Sequence, residues 1–260
     1  MTEQHLKWHS DILGQETEML VFGEKGYPVI LFPTSMGRYF QTRDFKLIES
    51  AKYFLEEGLV KIYCVDSIDE ASWYNKNVHP SIRARNHVIY DSFLKNEIAP
   101  KALQETGMKK LATAGCSFGG YHAMNFAFRY PEITGYLFSM GGAFDIKPQV
   151  DGYYDDNVYF NNPPDYLAGL ENSFLKEMGI VLGTGDQDMC KEANINISNI
   201  LNKKNISHWL DIRTGEEGIH DWPAWRAMFP HYLSLIGNAI HESRNTMPDT
   251  LNSNHNIKAT

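Results

Sequence analysis

The sequence predicts an α/β fold, a mostly parallel twisted sheet of about eight strands with helices on both faces. Three observations carry this reading. Short apolar runs alternate along the chain with amphipathic helical stretches. One strand-to-helix junction, LATAGCSFGGYHAMNFAFRYP, places glycines on both sides of a serine. The length of 260 residues, 43% of them hydrophobic, suits one sizeable domain with an ordinary core.

The elements follow in order. Leu6–Ile12 and Glu18–Phe22 flank Leu13-Gly14-Gln15 and read as an antiparallel hairpin. Six further strands are expected at Pro28–Phe32, Lys61–Val65, Lys110–Ala114, Gly135–Ser139, Gly179–Leu182 and Ser207–Arg213. Helices are expected between them at Thr42–Glu57, Pro80–Gln104, Phe118–Arg129, Asp188–Lys203 and Pro223–His241. Residues 1–243 are read as a single domain, in which the strand-poor stretch 144–164 is an excursion over the active-site face. The polar, aperiodic tail 244–260 is expected to be disordered.

Gly115-Cys116-Ser117-Phe118-Gly119 is G-x-S-x-G in the setting of strand, sharp turn and helix, the nucleophile elbow of serine hydrolases. Such a turn strains the serine backbone and leaves no room for side chains at Gly115 or Gly119. It also sets the next backbone N–H at a positive helix terminus, where an oxyanion could be held. A serine hydroxyl needs an adjacent base, itself oriented by a carboxylate, and in this fold both follow the serine in the chain. His220 is the expected base, because it alone of the ten histidines sits in a strand-to-helix loop downstream of an acid-bearing loop. Asp186 is the expected acid because it stands in the turn after GIVLG, and Asp188 is the alternative, read as the start of the next helix. The oxyanion donors are expected to be the N–H of Phe118 and that of Ser35, with Met36 as the alternative to Ser35. Pro33 is excluded for want of an N–H. Cys116 reads as a small buried hydrophobe and His122 as a packed, hydrogen-bonded histidine. The aromatics Trp73, Tyr74, Tyr153, Tyr154, Tyr159, Phe160 and Trp222 fall in loops. Several are expected to line a substrate pocket, though packing under the loops explains them equally.

A formal charge of −8 with no Lys/Arg cluster argues against nucleic acid and acidic membranes as partners. The N-terminus lacks an apolar signal-like run, and three cysteines without C-x-x-C spacing indicate neither disulfides nor zinc. The expectation is a cytoplasmic protein with a small-molecule ester substrate, no cofactor and no metal. A homo-oligomer is compatible with the sequence.

With these loops placed, the chain resembles the putative esterase family of the α/β-hydrolase superfamily, a group that includes esterase D, S-formylglutathione hydrolases and mycolyltransferases. The resemblance runs from about Trp8 to Leu235 and is carried by VILFPTSMGR, AGCSFGGYHAMNFAFRYPE, MGGAFD, VYFNNPPDYL and GIHDWPAWR. It implies an acyl-enzyme on Ser117 with His220 as general base and an oxyanion hole at Ser35 and Phe118. Pro33-Thr34 stands where relatives often carry His-Gly. The function expected is a serine esterase cleaving a carboxylic ester or thioester. An acyltransferase using the same acyl-enzyme, or a non-catalytic binding protein of the same fold, are the alternatives.

Overall fold

The computed structural model describes residues 1–245, with side chains described to residue 236. All but the first two residues of the expected disordered tail lie outside that range. The chain opens with the antiparallel hairpin β1 (Glu3–Ser10) and β2 (Gln15–Phe22), followed by β3 (Tyr27–Phe32). Three short helices, α1 (Gln41–Asp44), α2 (Leu47–Ser50) and α3 (Lys52–Glu56), stand where one helix was expected. Lys46, at φ 63°, takes a left-handed conformation that breaks the hydrogen-bond ladder between the first two.

After β4 (Val60–Val65) comes α4 (Pro80–Phe93), which runs through a π-helical turn (Leu94–Ile98) into α5 (Ala99–Thr106). Pro100 cannot donate to the residue four before it, and the widened turn just ahead is where the ladder adjusts. The same turn carries Glu97, whose carboxylate accepts from Trp8 Nε1 at 3.1 Å and Ser10 Oγ at 2.6 Å and so ties the hairpin down.

The remainder is β5 (Leu111–Cys116), α6 (Phe118–Arg129), β6 (Thr134–Met140), α7 (Asp156–Tyr159), α8 (Pro163–Tyr166), β7 (Gly179–Gly185), α9 (Lys191–Lys203), β8 (Trp209–Arg213) and α10 (Trp222–Asn245). The eight strands form one sheet in the order β1-β2-β4-β3-β5-β6-β7-β8, antiparallel through β1, β2 and β4 and parallel beyond. Alternation along the strands feeds two cores. Ile30 and Phe32 pack with α4, α5, α6 and α9 on one face, while Val29 and Leu31 pack with α2, α3 and α10 on the other.

β5 lies mid-sheet and is buried throughout. Its register sets Gly115 beside Phe32 of β3 and Ser139 of β6. The parallel strands therefore deliver their following loops to one edge, the usual ligand edge of such sheets. The stretch 144–164 packs along α6. Tyr121 Oη donates to the Asn161 carbonyl at 2.9 Å, and Asn125 Nδ2 donates to Asn161 Oδ1 at 2.9 Å. No helix among the described residues is long and apolar enough to cross a membrane.

Candidate active site

The elbow between β5 and α6 puts Ser117 at φ 55°, ψ −122°, a conformation that costs a non-glycine residue on the order of 1–3 kcal/mol. The surroundings hold it there. The Ser117 N–H donates to the Met140 carbonyl at 2.9 Å, and its carbonyl accepts from Gly120 and Ala143. A side chain on Gly115 would run into the backbone of Gly119, and one on Gly119 into the carbonyls of Phe32 and Pro33. The glycines thus let strand, turn and helix close against each other. Cys116 is buried, and burial pushes its thiol well above the usual range, so no thiolate competes with the serine.

His220, in the loop after β8, brings Nε2 to 3.0 Å from Ser117 Oγ and Nδ1 to 2.7 Å from Asp188 Oδ1. With a carboxylate as its acceptor, Nδ1 carries the proton and Nε2 is left to accept from the serine. Ser117 is half-buried, whereas Asp188 is almost wholly enclosed. Burial pushes the Asp188 carboxyl up, but the His220 hydrogen bond and the Cys190 N–H at 2.7 Å outweigh it and hold the group below the usual carboxylate range.

Asp186, the expected acid, is exposed and does not reach His220. The reason is where β7 stops. The strand runs to Gly185, not Leu182, and Gly185 packs so tightly on Gly218 that a Cβ would overlap its backbone. Asp186 is therefore left at the outer tip, with its N–H on the Arg213 carbonyl. Two residues on, Asp188 turns inward. It precedes α9 rather than starting it, because the helix begins only at Lys191.

Three further residues at this site went unread in the sequence. Gly141 has φ 63°, and a Cβ there would stand 2.8 Å from Asp188 Oδ2 and 3.0 Å from His220 Nδ1. The MGGAFD segment was the signal that could have found it. Trp225 sets its ring edge-to-face against His220 at 5.1 Å. Cys190 brings its sulfur within 4.8 Å of ligand atoms of Asp188 and His220, and burial followed by the Asp188 charge pushes its thiol up to about 12.

The loop after β3 passes beside the elbow. The Thr34 N–H donates to Gln41 Oε1 at 2.9 Å and the Met36 N–H to Asp69 Oδ2 at 3.0 Å. The N–H groups of Ser35 and Phe118 have no acceptor among the described residues. His122 is buried on α6 and bonded to Asp69 through Nε2 at 2.9 Å, a packed histidine as expected.

Of the expected pocket aromatics, Trp73 lies in the interior. It is fully buried, its Nε1 donates to Tyr121 Oη, and it packs with Phe118 and Val150. Tyr74 is half-buried beside the loop after β3, its hydroxyl donating to Ser35 Oγ at 2.9 Å. Tyr153 and Tyr154 donate to Asp155 and Asp165, Tyr159 packs against the larger core, and Trp222 stacks on Phe45 at 4.6 Å. A groove of about 490 Å³ borders Met36 and is polar, lined by Arg38, Asp66, Glu70, Asn75 and Asn77 and by none of these aromatics.

Residues 10–236 match the family model described as "Putative esterase". No curated protein matches the sequence. Among solved structures, a ferulic acid esterase superposes with a TM-score of 0.73 at 16% identity, over 91% of this chain and 98% of its own. An S-formylglutathione hydrolase from Agrobacterium tumefaciens gives 0.71 at 13% identity, over 91% and 94%. An S-formylglutathione hydrolase from Staphylococcus aureus gives 0.60 at 14% identity, over 90% and 96%.

Proposed function

The chain belongs to the putative esterase family, carboxylic ester hydrolases on the α/β-hydrolase fold, and from that premise we propose that it cleaves a small ester or thioester through an acyl-enzyme on Ser117. The observation that carries the proposal is the unbroken hydrogen-bond chain from Ser117 Oγ through His220 to Asp188.

In the first half-reaction Ser117 Oγ attacks the substrate carbonyl as His220 Nε2 takes its proton. Asp188 holds the imidazole in the tautomer that leaves Nε2 free, and its charge stabilises the imidazolium that forms. The oxyanion of the tetrahedral intermediate receives the N–H of Phe118, at the N-terminus of α6, and the N–H of Ser35. Collapse of the intermediate breaks the bond to the leaving alcohol or thiol, which takes the proton from His220. Water then gives a proton to the same Nε2, attacks the acyl carbonyl, and releases the acid and a regenerated serine. None of these steps draws on a metal or a cofactor.

Fluorophosphonate labelling with peptide mapping tests this. An adduct on Ser117 that is absent from Ser117→Ala, together with turnover of simple aryl or alkyl esters, is the expected result. A folded wild-type protein that takes no adduct at Ser117 would overturn the reading.

A further inference from the structure

Three consecutive residues of the loop after β3 are gripped by the loop after β4. Tyr74 Oη donates to Ser35 Oγ at 2.9 Å, Asp69 Oδ2 accepts the Met36 N–H at 3.0 Å, and Ser67 Oγ donates to the Gly37 carbonyl at 2.8 Å. The middle grip differs from the other two. Asp69 is buried, and its second oxygen is held by His122 Nε2 at 2.9 Å, from the helix that begins at the elbow. The same imidazole stands edge-to-face on Phe118 at 5.0 Å and stacks on Phe32 at 5.8 Å. Met36, the residue so held, sits at φ 57°, a left-handed conformation that an unanchored methionine avoids.

We propose that Asp69, fixed by His122, is a positioning residue for the oxyanion hole. It captures the Met36 N–H and thereby presents the Ser35 N–H, instead of its neighbour's, to the substrate. This role rests on the Ser117 reading above and favours Ser35 over Met36 as the second donor. The N–H groups on either side of Ser35 are both committed, Thr34 to Gln41 and Met36 to Asp69. A peptide plane held on both sides cannot rotate away as charge develops on the substrate oxygen, which is what a preorganised donor requires. His122 contributes from behind both donors, holding Asp69 on one side and packing on Phe118 on the other.

A purely structural buried pair would behave differently from a positioning one. Replacing a charged pair with apolar groups of similar shape is close to neutral for the pair itself, so Asp69→Leu combined with His122→Phe removes the pair and frees only the Met36 N–H, the change the test reads. We expect that variant to lose about 10²-fold in kcat, as when one oxyanion donor is lost, with KM changed less than about threefold. Asp69→Asn keeps an oxygen for the Met36 N–H and is expected to recover most of the loss. A native-like double variant with wild-type kcat would overturn the proposal. So would an Asp69→Asn variant as impaired as the double. Should the double variant not fold, His122→Phe alone serves, with a kcat loss of at least about tenfold expected and an unchanged kcat overturning the proposal. Fluorophosphonate labelling of wild type separates the two levels of argument. A Ser117 adduct with unaffected variants removes only the positioning role, whereas no adduct on wild type removes the parent reading.

Discussion

Asp186 and Asp188 share one loop, and two residues decide which of them faces the imidazole. Asp188 is enclosed and takes both the His220 Nδ1–H and the Cys190 N–H, while Asp186 points to solvent. Asp188→Asn is expected to cut kcat by about 10⁴-fold, because an amide in that place favours the imidazole tautomer with the proton on the wrong nitrogen. Asp186→Asn is expected to stay within about twofold of wild type, as surface changes remote from a site do. Steady-state kinetics on one ester checks both, and equal losses would contradict the assignment. Ser117 and His220 were legible in the sequence because each is marked locally, one by the glycines of its turn and the other by a glycine-bearing loop before a helix. The choice between the aspartates was not, because it depends on a strand ending three residues later than its apolar run. Asp69 was invisible for a different reason. Its partners Met36 and His122 lie 33 and 53 residues away, and nothing next to it in the chain announces them.

The elements repeat this division. The strands from β2 to β7 and the elbow helix were readable from apolar runs, since that part of the sheet buries both its faces and demands such runs, whereas the edge strands β1 and β8 are largely exposed or half-buried and were marked by the turn and the loop beside them. The breaks in the helical layer were not, because Lys46 and the π-turn before Pro100 answer to local backbone demands that periodicity does not report. The end of that layer carries a testable ion cluster. Glu105, on α5, accepts from Lys61 Nζ at 2.8 Å and Tyr63 Oη at 2.9 Å on β4, and pairs with Lys101. Burial raises its pKa, but these three donors outweigh burial and hold the carboxyl at about 2, below its ordinary 4.5. A depressed carboxyl stabilises the fold above its unfolded pKa and loses that contribution as pH falls through the folded one. Glu105→Gln is therefore expected to lower Tm at neutral pH by no more than roughly 2–4 °C, since exposed pairs are worth at most about 1 kcal/mol. The deficit should narrow as pH drops from 4.5 toward 2. A deficit that persists unchanged at the acid end of a calorimetric series would contradict the account.

At the scale of the whole molecule, one sheet gathers its functional loops to a single edge, and the strand order decides how far each loop must travel in sequence. Ser117 sits beside the central strand, but its hydrogen-bonded partner His220 is 103 residues later, in the loop that follows β8 at the rim of the sheet. The pairings themselves differ in reach, and that has a kinetic meaning. β8 joins β7 across a single helix, whereas β3 joins β5 across β4, α4 and α5. Long-range strand pairing pays its loop-closure entropy before any contact rewards it, so the β3–β5 seam, which brings the Ser35 loop beside the elbow, is expected to close last. Competence for chemistry is then the final event of folding. In refolding from denaturant, far-UV circular dichroism should recover first and the capacity of Ser117 to take a fluorophosphonate later, and coincident recovery would show that the two halves of the sheet close together. A newly made chain would thus remain chemically silent until nearly all of its structure is in place, holding its strained serine inert while it is still an incomplete and exposed intermediate.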